Sequence, residues 1–124
     1  YYGMYFLELA DYCTRENNDE REVLKLLYQS LRALTVKSIP RRLVRCIYEI
    51  RLIVANGEFP GLPQGNFSET ALYAVEFIAG TPVEKLYTFT LKEEVLAELV
   101  QIAEKYRRDF LPGEFHTLEI LETL

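Results

Sequence analysis

The chain has 124 residues, enough for one compact core, and its 49% apolar and 27% charged residues describe a globular domain rather than a disordered one. Fourteen Lys and Arg stand against 19 Asp and Glu, a net charge of −5, which argues against a free-standing nucleic-acid binder. Apolar runs such as Leu52 to Ala55 reach about four residues, against the roughly 20 of a membrane helix, so no membrane partner is expected.

Read in order, the chain spells helices. Tyr1-Tyr2-Gly3-Met4 carries no basic lead, so no signal peptide is expected, and a start without Met leads us to expect a piece of a longer protein. The first helix is predicted from about Tyr2 to Cys13, with Phe6, Leu9, Ala10 and Cys13 at helical spacing. Asp19 and Glu22 have the form of a capping box. A second helix follows to about Val36, with Leu24, Leu27, Leu31 and Leu34 as its expected core face.

Pro40 suits a helix start, and a third helix is predicted to Ala55 with a core stripe of Leu43, Ile47, Ile50 and Val54. Asn56-Gly57 ends it, and 57–67 is an irregular stretch punctuated by glycine and proline. Ser68 caps a fourth helix whose core face is Leu72, Val75 and Ile78 or Ala79, and Gly80 ends it. Thr81-Pro82-Val83-Glu84 starts a short helix, Tyr87 to Leu91 reads as an extended connector, and Thr90 with Glu93 forms another capping box. A fifth helix to Phe110 carries Val95, Leu99, Ile102, Tyr106 and Phe110 on one face. Pro112-Gly113 stops it before a short last helix from about Thr117 to Leu124. The expected fold is an all-α compact bundle of about six helices in a single domain.

Enzyme chemistry finds little footing. No phosphate loop, GxSxG elbow or HExxH motif occurs. Cys13, Cys46 and the one histidine, His116, are too scattered for a four-ligand zinc site, so no metal, cofactor or catalytic residue is expected. A disulfide between the two cysteines is compatible with the spacing, but two buried thiols in a reducing cytoplasm are the ordinary reading. The paired carboxylates, such as Glu93 with Glu94, fall in first helical turns, where they complement the helix dipole.

Charge is unevenly spread. Residues 41–51 hold Arg41, Arg42, Arg45 and Arg51 against Glu49, a local +3. Opposite the third helix's core stripe fall Arg41, Arg45, Tyr48 and Leu52, within about 60° of one another. That face suits a groove for a partner peptide, with arginines holding carboxylates and Tyr48 and Leu52 holding apolar side chains. The alternative is a central helix buried on both sides, its arginines paired to acids of the first helix. Lys105, Arg107 and Arg108 close the fifth helix, where cations satisfy the dipole; with Arg42 they are the candidates for DNA contact.

Several pieces in order resemble the C-terminal end of the RecO family: Tyr5-Phe6-Leu7-Glu8-Leu9, Tyr48-Glu49-Ile50-Arg51-Leu52, Thr81 to Phe89, Glu93-Glu94-Val95-Leu96, Tyr106-Arg107-Arg108 and Leu118-Glu119-Ile120-Leu121. The resemblance implies a non-catalytic mediator of recombinational DNA repair in the RecF pathway. It implies binding to single- and double-stranded DNA, strand annealing, work with RecR, and help in RecA loading. It also implies docking of the acidic, Phe-ending tail of single-stranded-DNA-binding protein, in a bacterial cytoplasm at the nucleoid. The family's OB-fold is expected before Tyr1 and is missing from this chain, so DNA binding by 1–124 alone is expected to be weak. Residues 57–67 read as a shortened loop where the family often carries a zinc finger. The rival is an all-α ligand- or dimer-binding regulatory domain of a transcription factor, which requires an apolar cavity or an apolar dimer face.

Overall fold

In a computed structural model, residues 1–16 and 20–111 are described. The apolar spacing produces five α-helices: α1 (Tyr2–Glu16), α2 (Glu20–Leu34), α3 (Arg41–Ala55), α4 (Glu69–Gly80) and α5 (Glu93–Phe110), with one 3-10 turn at Val83–Lys85. No strand occurs among the described residues, and none of their helices is long and apolar enough to cross a membrane. The capping box at Asp19 and the helix expected over 117–124 lie outside the described residues.

Helix α3 is the axis of the bundle. It touches α1, α2, α4 and α5, and Leu43, Val44, Cys46, Ile47, Tyr48, Glu49, Ile50, Leu52 and Ile53 are all buried on it. A helix covered this widely is central, as the alternative had it, but Arg45 pairs with Glu49 of α3 rather than with an acid of the first helix. Val54, expected in the core, is only half-buried.

The terminators act through local chemistry. Gly57 ends α3 with a φ of 75°, a left-handed conformation that costs glycine nothing. The Ser68 hydroxyl accepts from the Ala71 N–H at 3.2 Å, capping α4, while its own O–H donates to Glu98 on α5. Gly80 closes α4 without a left-handed turn. Its last carbonyls, on Ile78 and Ala79, accept from the Arg51 guanidinium at 2.9 and 3.0 Å, so a side chain of α3 does what a glycine motif would. The Thr90 capping box does not form: α5 begins at Glu93 and no side chain caps it, Glu93 having turned to Arg42.

Three more core faces differ from expectation; on α4 the buried residues are Ala71, Ala74, Val75 and Ile78, and Leu72 is only half-buried. On α2 the buried residues are Val23, Leu26, Ser30 and Ala33, while Leu27, Leu31 and Leu34 pack at the rim and Leu24 is exposed. Small residues at the contact allow close helix approach, and the leucines fill the flanks instead. On α5 the buried set is Leu96, Leu99, Ile102, Ala103 and Tyr106, with Val95 and Phe110 packed at its margin.

The irregular 57–67 stretch is packed rather than loose. The Tyr106 hydroxyl donates to the Gly61 carbonyl at 2.7 Å, and the Phe59 ring meets Tyr106 edge-on.

Candidate functional site

The structure does not bring Arg41, Arg45, Tyr48 and Leu52 together as an open groove. Tyr48 and Leu52 are both 0% exposed. The Tyr48 ring stacks on Phe6 of α1 at 4.1 Å, and its hydroxyl donates to the Phe6 carbonyl at 2.6 Å. Helix α1 therefore lies over the half of the face where an apolar partner was expected, and neither side chain is open to a ligand. Arg41 is exposed on the first turn and makes no ion pair among the described residues.

Arg45 turns inward to a site that the sequence did not announce. Glu49, one turn on, is buried at 2% exposure. Its Oε2 accepts from the Tyr5 hydroxyl of α1, from Arg45 Nε at 3.4 Å, and lies 3.6 Å from Arg107 Nη1 of α5. One carboxylate thus ties three helices. The Arg45 guanidinium also stands over the Tyr5 ring, 5.3 Å from its centre.

The titration directions follow from this geometry. Burial pushes the Glu49 carboxyl above its ordinary value, and Arg45, Tyr5 and Arg107 pull it back without cancelling the effect. Burial opposes the charge on Arg45, but the Glu49 carboxylate, Tyr5 and Tyr2 together outweigh it and hold the guanidinium above its ordinary value. Burial, then the adjacent carboxylate, push the Tyr5 phenol far up, so it stays a donor.

The Arg45 and Arg107 guanidiniums flank the Glu49 carboxylate. They open on a cleft of about 50 Å³ lined by Tyr2, Arg42, Arg45, Val100, Glu104 and Arg107 among others. That volume suits one or two waters rather than a ring. An anionic partner would engage its rim.

The four DNA candidates separate. Arg42 pairs with Glu93 at 3.2 Å in solvent, and Arg107 is committed to Glu49 with 12% of its side chain exposed. Lys105 and Arg108 are exposed, and Lys105 borders a shallow depression against Pro60, Leu62 and Pro63. Only Arg42 and Arg107 share the cleft with Arg45.

Cys13 and Cys46 are free, buried thiols. Burial raises both, with the Asn56 amide pulling back on Cys13 and the neighbouring Glu49 adding to the rise at Cys46, so neither is poised as a thiolate. His116 lies outside the described residues. Among the described residues no three His, Cys, Asp or Glu side chains are grouped to hold a metal ion.

In the sequence Glu49 reads as a counter-charge within an arginine run. Its signal was a carboxylate between Tyr48 and Ile50, on a helix apolar on nearly every side. The outer face of α2 was also missed, because its leucines were assigned to the core.

One family profile, described as recombination protein O C terminal, matches residues 1–64. No curated protein and no solved structure matches the chain.

Proposed function

The chain belongs to the recombination protein O family through its C-terminal domain, and from that premise we propose that it recruits an acidic partner tail to recombinational DNA repair. The domain is non-catalytic and acts by binding. The family's role is that of a mediator in DNA repair and recombination.

In our reading the tail is the acidic, Phe-ending terminus of single-stranded-DNA-binding protein. Docking it would bring the RecF-pathway mediator to coated strands for annealing and RecA loading, with RecR as a second partner. A bacterial cytoplasm, at the nucleoid, is the setting this implies. The loop 57–67 stands where relatives with a zinc finger carry it. Lys105 and Arg108 would supply weak backbone contacts to single- and double-stranded DNA.

The observation that carries the reading is the cationic rim around Glu49. Arg42, Arg45 and Arg107 line it together with Tyr2, Val100 and Glu104, and Arg41 is exposed one turn before Arg45. Arginine holds carboxylates with paired hydrogen bonds, and such contacts weaken with salt.

Titration calorimetry with an acidic, Phe-ending peptide tests this. The double variant Arg41→Glu/Arg42→Glu changes two exposed residues and should weaken binding at least about tenfold. Tyr48→Phe should cost about 1 kcal/mol of stability, through its lost hydrogen bond, and leave the affinity unchanged. Equal affinity for the double variant and the native chain would discard the rim as the tail site.

A further inference from the structure

We propose that the outer face of α2 docks an acidic amphipathic helix of a partner protein, at a site separate from the rim around Glu49. Leu24 and Tyr28 are 50% and 60% exposed, one turn apart on the same face. A short connection makes α1 and α2 an antiparallel hairpin. A Cβ placed on Gly3 of α1 would sit 3.6 Å from Leu31 of α2. Leu7 lies one turn on from Gly3 on that flank, 53% exposed, with Met4 beside it at 57%. The seam between the two helices is therefore a strip of exposed aliphatic and aromatic side chains. It goes beyond the singly scattered apolar residues of an ordinary surface.

Beside the apolar lane runs a cationic one. Arg21, Lys25 and Arg32 fall within about 40° of one another on α2. Arg21 and Arg32 lie eleven positions apart, about 16 Å or three helical turns. Arg21 and Arg32 make no ion pair among the described residues, whereas Lys25 is held by Glu84 at 3.2 Å and lies 3.8 Å from Glu22. The Arg32 guanidinium stands 5.7 Å from the centre of the Tyr28 ring, which fixes a cation at the edge of the apolar lane. Glu20, Arg21, Leu24, Lys25 and Tyr28 line an open depression of about 610 Å³.

Charge complementarity names the occupant. A helix about three turns long places apolar residues at i, i+3 or i+4 and i+7 along the seam, and its acids in one flanking lane against Arg21 and Arg32. A nucleic-acid strand carries charge along its whole length and would meet Glu20, Glu22 and Glu84 as well. It also has no use for Met4, Leu7 and Leu24.

The test uses the full chain and a fluorescein-labelled synthetic helix with leucines at that spacing and glutamates along one flank, read by anisotropy at physiological salt. Saturable micromolar binding is expected. Arg21→Glu/Arg32→Glu and, independently, Leu24→Ala/Tyr28→Ala should each weaken it at least tenfold, and Arg41→Glu/Arg42→Glu should not. A scrambled peptide of the same composition should fail to compete. The proposal is overturned by no saturable binding, by equal binding of the scrambled peptide, or by indifference to both α2 variants. It is equally overturned if a single-stranded oligonucleotide binds the same face more tightly. Sedimentation showing that the face closes on a second copy, dispersed by Leu24→Ala/Tyr28→Ala, would overturn it too.

Discussion

Glu49 is where protonation and folding meet. In the unfolded chain its carboxyl titrates near 4.5, and burial holds it higher in the fold. The folded state therefore binds that proton more tightly than the unfolded one. The resulting stabilisation is fully present below 4.5 and is lost as the pH rises through the raised folded value. Urea midpoints of the native chain and Glu49→Gln, measured from about pH 4 to about pH 8, should diverge in that sense, the native chain losing ground as the pH climbs. A difference that stays flat across the range would show that burial does not perturb this carboxyl. The residue was illegible in the sequence because its partners are remote. Tyr5 is two elements upstream and Arg107 lies at the end of the last described helix. Nothing in the spacing of α3 joins them. The same remoteness hid Phe6, whose ring closes the face that Tyr48 and Leu52 were expected to expose.

Helix limits were far more legible than helix faces. Ser68 and Asn56-Gly57 mark ends through chemistry confined to a few neighbouring residues, and the structure uses both. Faces depend on which neighbour arrives. Helix α2 presents two candidate apolar stripes, and the one lined by Ser30 and Ala33 won because smaller side chains admit closer packing. Local chemistry also yields where a distant group intervenes, as Arg51 does by taking the last carbonyls of α4 and Arg42 by drawing Glu93 away at the start of α5. Ser68 unites both kinds of support. It caps α4, and the Glu98 carboxylate of α5 accepts from its N–H at 2.9 Å and its hydroxyl at 2.6 Å. Ser68→Ala should lower stability by about 1 kcal/mol in urea denaturation. A loss within error of zero would mean that water replaces the cap without cost.

At the scale of the whole molecule, a net charge of −5 sets the terms for any polyanion. Seven of the exposed cations among the described residues fall in three groups, Arg41 and Arg42 opening α3, Lys105 and Arg108 closing α5, and Arg21, Lys25 and Arg32 along α2, while Arg15, Lys37, Lys85 and Lys92 stand apart. Each group is small. Single-stranded DNA should therefore bind this chain more weakly than about 1 μM at physiological salt, with log affinity falling by about two to three per decade of salt. Anisotropy with a labelled oligonucleotide over a salt series measures both. Nanomolar binding at physiological salt would show that these groups act as one surface.

The Glu49 junction also bears on how the domain is made. Its carboxylate is synthesised long before Arg107, so a chain emerging from the ribosome holds α3 with one of its cations still to come. Until α5 is out, closing α1 over α3 buries an anion with Arg45 and the Tyr5 hydroxyl, but not Arg107, to offset it. Completion of the core should therefore wait for the final described helix, leaving the α1 and α2 hairpin to form first as a local unit.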